Sequence, residues 1–381
     1  MIKMLNAYTL EADDADDALE EINGMIGDGL LKNSLGILSC YDEFVDTGVA
    51  QHIAANLPFD VVGFTTLATA VDGEYDPVML TLAVITSDEL EFSCRMSGKL
   101  EADSEDTIRT AYAAATEGRD GDPKLIFTFM PVIEAGPERP LAALNKVSGG
   151  VPQFGTVASD GSKDLGKTYT IFNGNVSLEN MVFSLVYGNI EPTFVVAHMP
   201  EGKIQAQNAV ITDSEDCLLK GVNGMPIIEY LESIGVVLGD DRAGMGAIPF
   251  VVDFQDGTMP FARAIYNILP DGSALCGGFM PKGATLSIGS IDRDDVIITA
   301  ELSLQDMVAT GKRNGLLVLP CMTRYLVAGG DMRAEIDIAR DISGDIPCFL
   351  SYSGGEICPV YDEDGKPVNR FHNFTFTACI F

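Results

Sequence analysis

Gly36-Ile37-Leu38-Ser39-Cys40 is a short apolar run, and about twenty residues of helix-compatible sequence separate it from Val61-Val62-Gly63-Phe64-Thr65-Thr66, a second run rich in β-branched residues. This spacing predicts strand, helix, strand. The same grammar returns twice. Lys124-Leu-Ile-Phe-Thr-Phe129 leads through a helical stretch at 140–147 to Val151-Pro-Gln-Phe154-Gly155-Thr156, and Leu316-Leu-Val-Leu-Pro-Cys321 leads through 332–342 to Ile346-Pro347-Cys348-Phe349-Leu350-Ser351. Each copy closes on an aromatic residue beside small hydroxyl or glycine residues. The intervals between copies are unequal, which points to duplication or shared supersecondary grammar and away from a solenoid.

Outward from these units, residues 79–86, 91–95, 168–172, 181–187 and 193–198 alternate like half-buried strands, as do 248–254, 261–268 and 284–291. Turn chemistry at Pro270-Asp271-Gly272 and Pro281-Lys282-Gly283 makes the later strands hairpins. Helical periodicity marks 12–26, 104–116, 225–233 and 294–308. Asp13, Asp14, Asp16 and Asp17 crowd the start of the first of these, where the helix dipole favours negative charge, so it reads as an amphipathic helix with a solvated acidic face. The expected class is α/β, a mixed α+β arrangement of hairpin-rich sheets covered by helices in a layered sandwich. Apolar periodicity lapses over 200–208, which divides the chain into two expected domains, 1–203 and 204–381.

The chain has 381 residues, with 56 acidic and 24 basic side chains and a net charge of −32. Without a Lys/Arg cluster to offset it, that charge repels phosphate backbones and anionic membrane surfaces, so nucleic acid and membrane are excluded as expected partners. At 46% hydrophobic and 21% charged, the composition is that of a folded protein. The eight cysteines form no C-x-x-C pair and sit mostly in apolar runs, which predicts reduced, packed thiols in a cytoplasmic protein. No basic, apolar leader opens the sequence and no apolar stretch is long enough to span a bilayer.

One formal motif is present. Gly161-Ser-Lys-Asp-Leu-Gly166-Lys167-Thr168 has P-loop spacing, but a strand and the turn pair Asn173-Gly174 follow where a phosphate-binding loop requires a helix, so a hairpin is expected. Enzymatic constellations are scarce, with three histidines and none in a metal or triad pattern. No cofactor or metal is expected. Cys40 and Cys321 end equivalent strands, so a hydrolase or transferase with a cysteine or hydroxyl nucleophile is the alternative function. The densest polar cluster lies near the C-terminus. Ser351-Tyr352-Ser353-Gly354-Gly355-Glu356-Ile357 and Phe371-His372-Asn373-Phe374-Thr375-Phe376 place a phenol, a carboxylate, an imidazole and an amide in an apolar, glycine-loosened frame. Such groups either satisfy one another or meet a ligand.

At these residues the chain resembles the FIST family of prokaryotic sensory proteins, with an N-terminal and a C-terminal half. Leu38-Ser39-Cys40-Tyr41 with Val61 to Thr66, and Pro152-Gln-Phe154-Gly155-Thr156-Val-Ala158-Ser-Asp160, are similar to passages of its first half. Leu218 to Tyr230, Phe349 to Ile357 and Phe371-His372-Asn373-Phe-Thr375 are similar to passages of its second half, the last two being the most specific. The resemblance implies a cytoplasmic sensor of a small metabolite, an amino acid or a similar compound. No output module is read in this sequence, so the expectation is either signalling through a separate partner or action as a soluble ligand receptor. The candidate ligand contacts are Tyr352, Ser353, Gly354, Glu356, His372, Asn373 and Phe349, with Phe64 and Thr65 from the first half.

Overall fold

A computed structural model describes residues 1–101, 103–134, 136–162, 165–236 and 248–381. It is a mixed α/β protein of hairpin-rich sheets covered by helices. A first unit runs β1 (Ile2–Thr9), α1 (Ala15–Ile26), β2 (Asn33–Cys40), α2 (Glu43–Asp46), α3 (Val49–Asn56), β3 (Asp60–Thr65), β4 (Thr69–Val71) and β5 (Leu80–Ser87). A second follows with β6 (Glu91–Lys99), α4 (Glu105–Thr116), β7 (Leu125–Met130), α5 (Glu138–Val147), β8 (Gln153–Val157), β9 (Thr170–Phe172), β10 (Asn175–Ser177) and β11 (Asn180–Tyr187). A third opens with β12 (Thr193–Ala197) and is then interrupted by a separate sheet. That insert comprises β13 (Ile204–Glu215), β14 (Leu218–Val222), β15 (Met225–Pro226), α6 (Ile227–Ser233), β16 (Phe250–Asp253), β17 (Phe261–Arg263), β18 (Ile265–Ile268), β19 (Ala274–Cys276) and β20 (Thr285–Gly289). The third unit resumes with α7 (Arg293–Ala309), β21 (Leu316–Pro320), α8 (Met322–Val327), α9 (Arg333–Ser343), β22 (Cys348–Ser351), β23 (Glu356–Tyr361), β24 (Pro367–His372) and β25 (Phe376–Ile380).

The three strand–helix–strand stretches read from the sequence are three parallel pairs, β2 with β3, β7 with β8 and β21 with β22. A parallel pair needs a crossover, and α3, α5 and α9 supply it. In each unit a late strand then lies antiparallel to the first member of the pair, giving the orders β1-β5-β2-β3, β6-β11-β7-β8 and β12-β25-β21-β22. The remaining strands are exchanged. The β9–β10 hairpin of the second unit extends the first sheet at β3, the β23–β24 hairpin of the third extends the second at β8, and β4 of the first extends the third at β22. This cyclic exchange closes the three units on one another. The expected division into 1–203 and 204–381 is a division of sequence, and hydrogen-bonded sheets cross it; the 200–208 stretch where periodicity lapses overlaps the start of β13.

Strand alternation explains where the cores lie. Ile37, Phe127, Phe129, Leu317 and Leu319 face a common interior with Phe64 and Phe349, while their neighbours Leu38, Ile126 and Val318 face the helices that cover each sheet. Phe64 stacks on Phe129 at 4.9 Å, joining the first sheet to the second. Buried hydroxyls join the first to the third, with Ser39 and Ser351 at 2.7 Å.

The described residues of the P-loop-like stretch lead into the β9–β10 hairpin, turned by Asn173 and Gly174, both at positive φ. Its Lys163 and Asp164 lie outside the described residues, and the Lys167 ammonium is paired with Asp42 at 3.0 Å and with Asp46. The start of α7 carries a reciprocal cap, in which the Asp292 carboxylate accepts from Asp295 N (3.1 Å) and Asp295 accepts from Asp292 N (2.9 Å). An Asp292→Ala variant is expected to lose about 1 kcal/mol in urea unfolding, and an unchanged midpoint would show that this cap contributes nothing.

Candidate functional site

The three parallel pairs end on the same side, and the loops that leave them are tied together. Ser159 N donates to Thr65 O (2.9 Å), the Thr66 hydroxyl to Tyr352 O (2.6 Å), Tyr352 N to Ala68 O (3.0 Å) and Gly354 N to Val157 O (2.9 Å). A cleft of about 770 Å³ opens beside these loops. The first unit contributes Tyr41, directly after β2, with Tyr75 and Val78; the second contributes Asp160 and Ser162, just past β8. From the third come Cys321, Thr323 and Tyr325 at the end of β21 and on α8, with Gly354, and the inserted sheet adds Ala264 and Tyr266. Ligands of α/β proteins commonly bind beyond the carboxyl ends of their strands, and this volume suits a small metabolite.

The nine residues singled out from the sequence are distributed unequally around this cleft. Gly354 lines it. Ser353 and Glu356 lie behind its wall, both fully buried: the Ser353 hydroxyl donates to Glu356 Oε1 at 2.6 Å, and Thr375 holds the other carboxylate oxygen. Cys321 N donates to Thr375 O at 2.9 Å, connecting this network to the lining. Burial raises the Glu356 pKa to about 8, although the hydrogen bonds from Ser353 and Thr375 oppose the shift. Glu356 is thus mainly a neutral acid at pH 7. Asn373 is also immediately behind the lining. Its Oδ1 accepts from Ala264 N at 3.5 Å, and a Cβ placed on Gly277 would lie 2.2 Å from that oxygen and 3.0 Å from the Tyr266 hydroxyl. Its buried Nδ2 has no hydrogen-bond partner.

The other candidates are placed elsewhere. Tyr352 turns away from Glu356 into the layer beneath α8 and α9, edge-on to Tyr325 at 6.1 Å and beside Glu335. His372 is fully buried and its Nε2 donates to the Cys358 carbonyl at 2.9 Å. Burial lowers its pKa to about 3, so it is neutral, and its Nδ1 is unpartnered. Phe64 and Phe349 pack in the interior shared by the three sheets. The Thr65 hydroxyl donates to Lys167 O (2.8 Å) and accepts from Tyr169 N (2.9 Å), closing the loop before β9. The structure therefore brings Ser353, Gly354, Glu356 and Asn373 to one wall and leaves Tyr352, His372, Phe64, Phe349 and Thr65 in separate packing roles.

Tyr41, Tyr75, Asp160, Tyr266 and Tyr325 line the cleft without having been singled out. Tyr41 and Asp160 carried a signal: each stands just past a member of a repeated strand pair, the position where Cys321 also stands. Tyr266 is brought in by the inserted sheet, and its partners are remote in sequence.

Cys40 and Cys321 are buried and their thiols are pushed far above the usual range by desolvation, with Asp42 and Glu356 respectively adding to the effect. A nucleophilic thiol needs the opposite setting, partly exposed and electropositive. Among the described residues no cluster of histidine, cysteine and carboxylate side chains has the make-up of a metal site, and no helix is long and apolar enough to cross a membrane.

Interlocked β–α–β units, an inserted hairpin sheet and a cleft where the strand pairs end define a mixed α/β protein with a metabolite-sized cleft. The FIST N domain model matches residues 34–225 and the FIST C domain model residues 229–359. The chain belongs to the FIST family, whose domains are small-ligand sensory domains. No curated protein matches it. Among solved structures it is similar to a cyanuric acid hydrolase described as an evolutionary innovation by structural concatenation, at 10% identity and a TM-score of 0.35, covering 100% of this chain and 98% of that one. The cyanuric acid hydrolase from A. caulinodans gives the same identity, TM-score and coverage.

Proposed function

We propose that this protein is a cytoplasmic small-molecule sensor whose ligand, a metabolite of amino-acid size, binds in the cleft at the ends of the three strand pairs. The observation that carries this reading is convergence: all three units and the inserted sheet supply lining residues to one cleft. A ligand there touches segments that are distant in sequence and tied by hydrogen bonds at the cleft floor, so occupancy is linked to the packing of every unit. In this reading Gly354 forms part of the wall, Ser353, Glu356 and Asn373 shape it from behind, and Tyr352 supports it through Tyr325. His372 fixes the β23–β24 hairpin through the Cys358 carbonyl. A signalling partner reads whether the cleft is occupied.

A thermal-unfolding screen of amino acids, organic amines and other small metabolites tests the proposal. A true ligand at 100 times its Kd is expected to stabilise the protein by about 2.7 kcal/mol. Silence across the screen, with the cleft accessible, would remove small-metabolite sensing as the function.

A further inference from the structure

We infer that the cleft selects an organic ammonium ion with an aromatic or apolar body and disfavours ligands that carry a carboxylate, an inference that rests on the reading of the cleft as the ligand site. Tyr41, Tyr75, Tyr266 and Tyr325 all line it, and Asp160 is the charged side chain among the described lining residues. Among the described residues the cations near the cleft are already engaged, Arg263 by Glu138 (3.4 Å) and the Phe371 carbonyl (2.8 Å). Lys167 is paired with Asp42 and Asp46, Arg324 with Glu335 at 2.9 Å, and Arg333 lies over the Tyr75 ring at 5.6 Å while pairing with Asp337 at 3.7 Å.

Four backbone donors around the lining are likewise occupied. Cys321 N donates to Thr375 O (2.9 Å) and Met322 N to Ser353 O (2.8 Å). In the second unit, Ser162 N and Lys167 N both donate to the Asp160 carboxylate, at 2.7 and 2.6 Å. A carboxylate entering the cleft would lose its hydration and find these backbone donors taken, with only the Asn373 amide behind the lining left unpartnered among those named, which is costly for a charge. An ammonium ion meets the opposite surroundings. Tyrosine faces attract cations through the ring quadrupole, and phenol oxygens accept from N–H groups. Asp160 adds a fixed negative charge: it accepts three hydrogen bonds, from Ser162 N, the Ser162 hydroxyl and Lys167 N, of about four that a carboxylate can take. The net charge of −32 draws cations toward the protein as a whole.

Calorimetric titration of the full chain with three probes sharing one phenethyl body tests the inference: phenethylammonium, phenylalanine and 3-phenylpropionate, at neutral pH and low salt. Phenethylammonium is expected to bind at least about tenfold more tightly than phenylalanine, and 3-phenylpropionate not at all. Tyr266→Leu changes a half-exposed side chain and is expected to leave the fold intact while weakening the amine about tenfold. Asp160→Asn should weaken the amine and leave the weak affinity for phenylalanine less affected. Equal or tighter binding of phenylalanine or 3-phenylpropionate overturns the inference, as does absence of amine binding. If another metabolite then stabilises the chain in the thermal screen, the sensor reading stands and the ligand class is wrong; if nothing does, the sensor reading itself has failed.

Discussion

Glu356→Gln is expected to make the protein more stable at pH 8 and to leave it nearly unchanged at pH 4. The Glu356 carboxyl is fully buried, and its pKa rises from an ordinary 4.5 to about 8 because burial disfavours the charged form. In the unfolded chain the same group ionises in its usual range. Between about pH 4.5 and 8 the native state therefore holds a proton that the unfolded state releases, so stability falls as pH rises across that window and levels off above it. The full span amounts to roughly 4 to 5 kcal/mol. Glutamine keeps the shape and can both accept from Ser353 and donate to Thr375 without ever ionising. Urea unfolding of natural and variant proteins from pH 4.5 to 8 should give curves that diverge steadily with pH. Parallel curves would mean that the native carboxyl ionises freely and that its buried hydrogen-bond network is not as drawn.

The position of Glu356 also shows how far the sequence could be read. Local patterns located it well: Ser353, Gly354 and Glu356 occur within one short glycine-containing stretch, and Ser353 and Glu356 do bond to each other. The three strand–helix–strand runs were legible for the same reason, since apolar runs at short spacing are local signals. Pairing between units was not legible. Nothing in Thr69-Ala70-Val71 announces that β4 crosses to β22, nearly three hundred residues further along the chain, because strand exchange is decided by which sheet edge remains open once the units pack. That exchange also displaced the expected contacts. With β23 and β24 drawn onto the second sheet, His372 faces the Cys358 carbonyl, while the return of the third unit beneath α8 and α9 takes Tyr352 away from Glu356. Conversely, Tyr41, Asp160 and Cys321 are far apart in sequence and meet only because three similar strand pairs end on one side.

Substituting Arg324 alone with methionine is expected to cost about 3 to 5 kcal/mol, whereas the double change Arg324→Met, Glu335→Leu should recover most of that loss. Arg324 lies on α8 and Glu335 on α9, both fully buried and 2.9 Å apart. Arg324 also donates to Val296 O (2.8 Å), the Thr299 hydroxyl (3.0 Å) and His198 O (3.3 Å), so one guanidinium joins α8 to α7, α9 and the stretch after β12. Without it the Glu335 carboxylate is left in an apolar site, and the charge needed at neutral pH has no partner. The sign of the pH dependence follows. Burial already raises the Glu335 pKa and Arg324 opposes that shift; removing Arg324 raises it further, so the single variant should be least stable at alkaline pH and recover as Glu335 takes up a proton in acid. The double variant should lack this pH dependence because neither charge remains. The consequence reaches the cleft, since Met322, Thr323, Tyr325 and Leu326 line it from the same short helix. Amide exchange across α8 should accelerate in Arg324→Met and slow again in the double variant. A single variant as costly at pH 5 as at pH 8, with no rescue by the second substitution, would show that packing of the arginine stem, and not the uncompensated carboxylate, carries the loss.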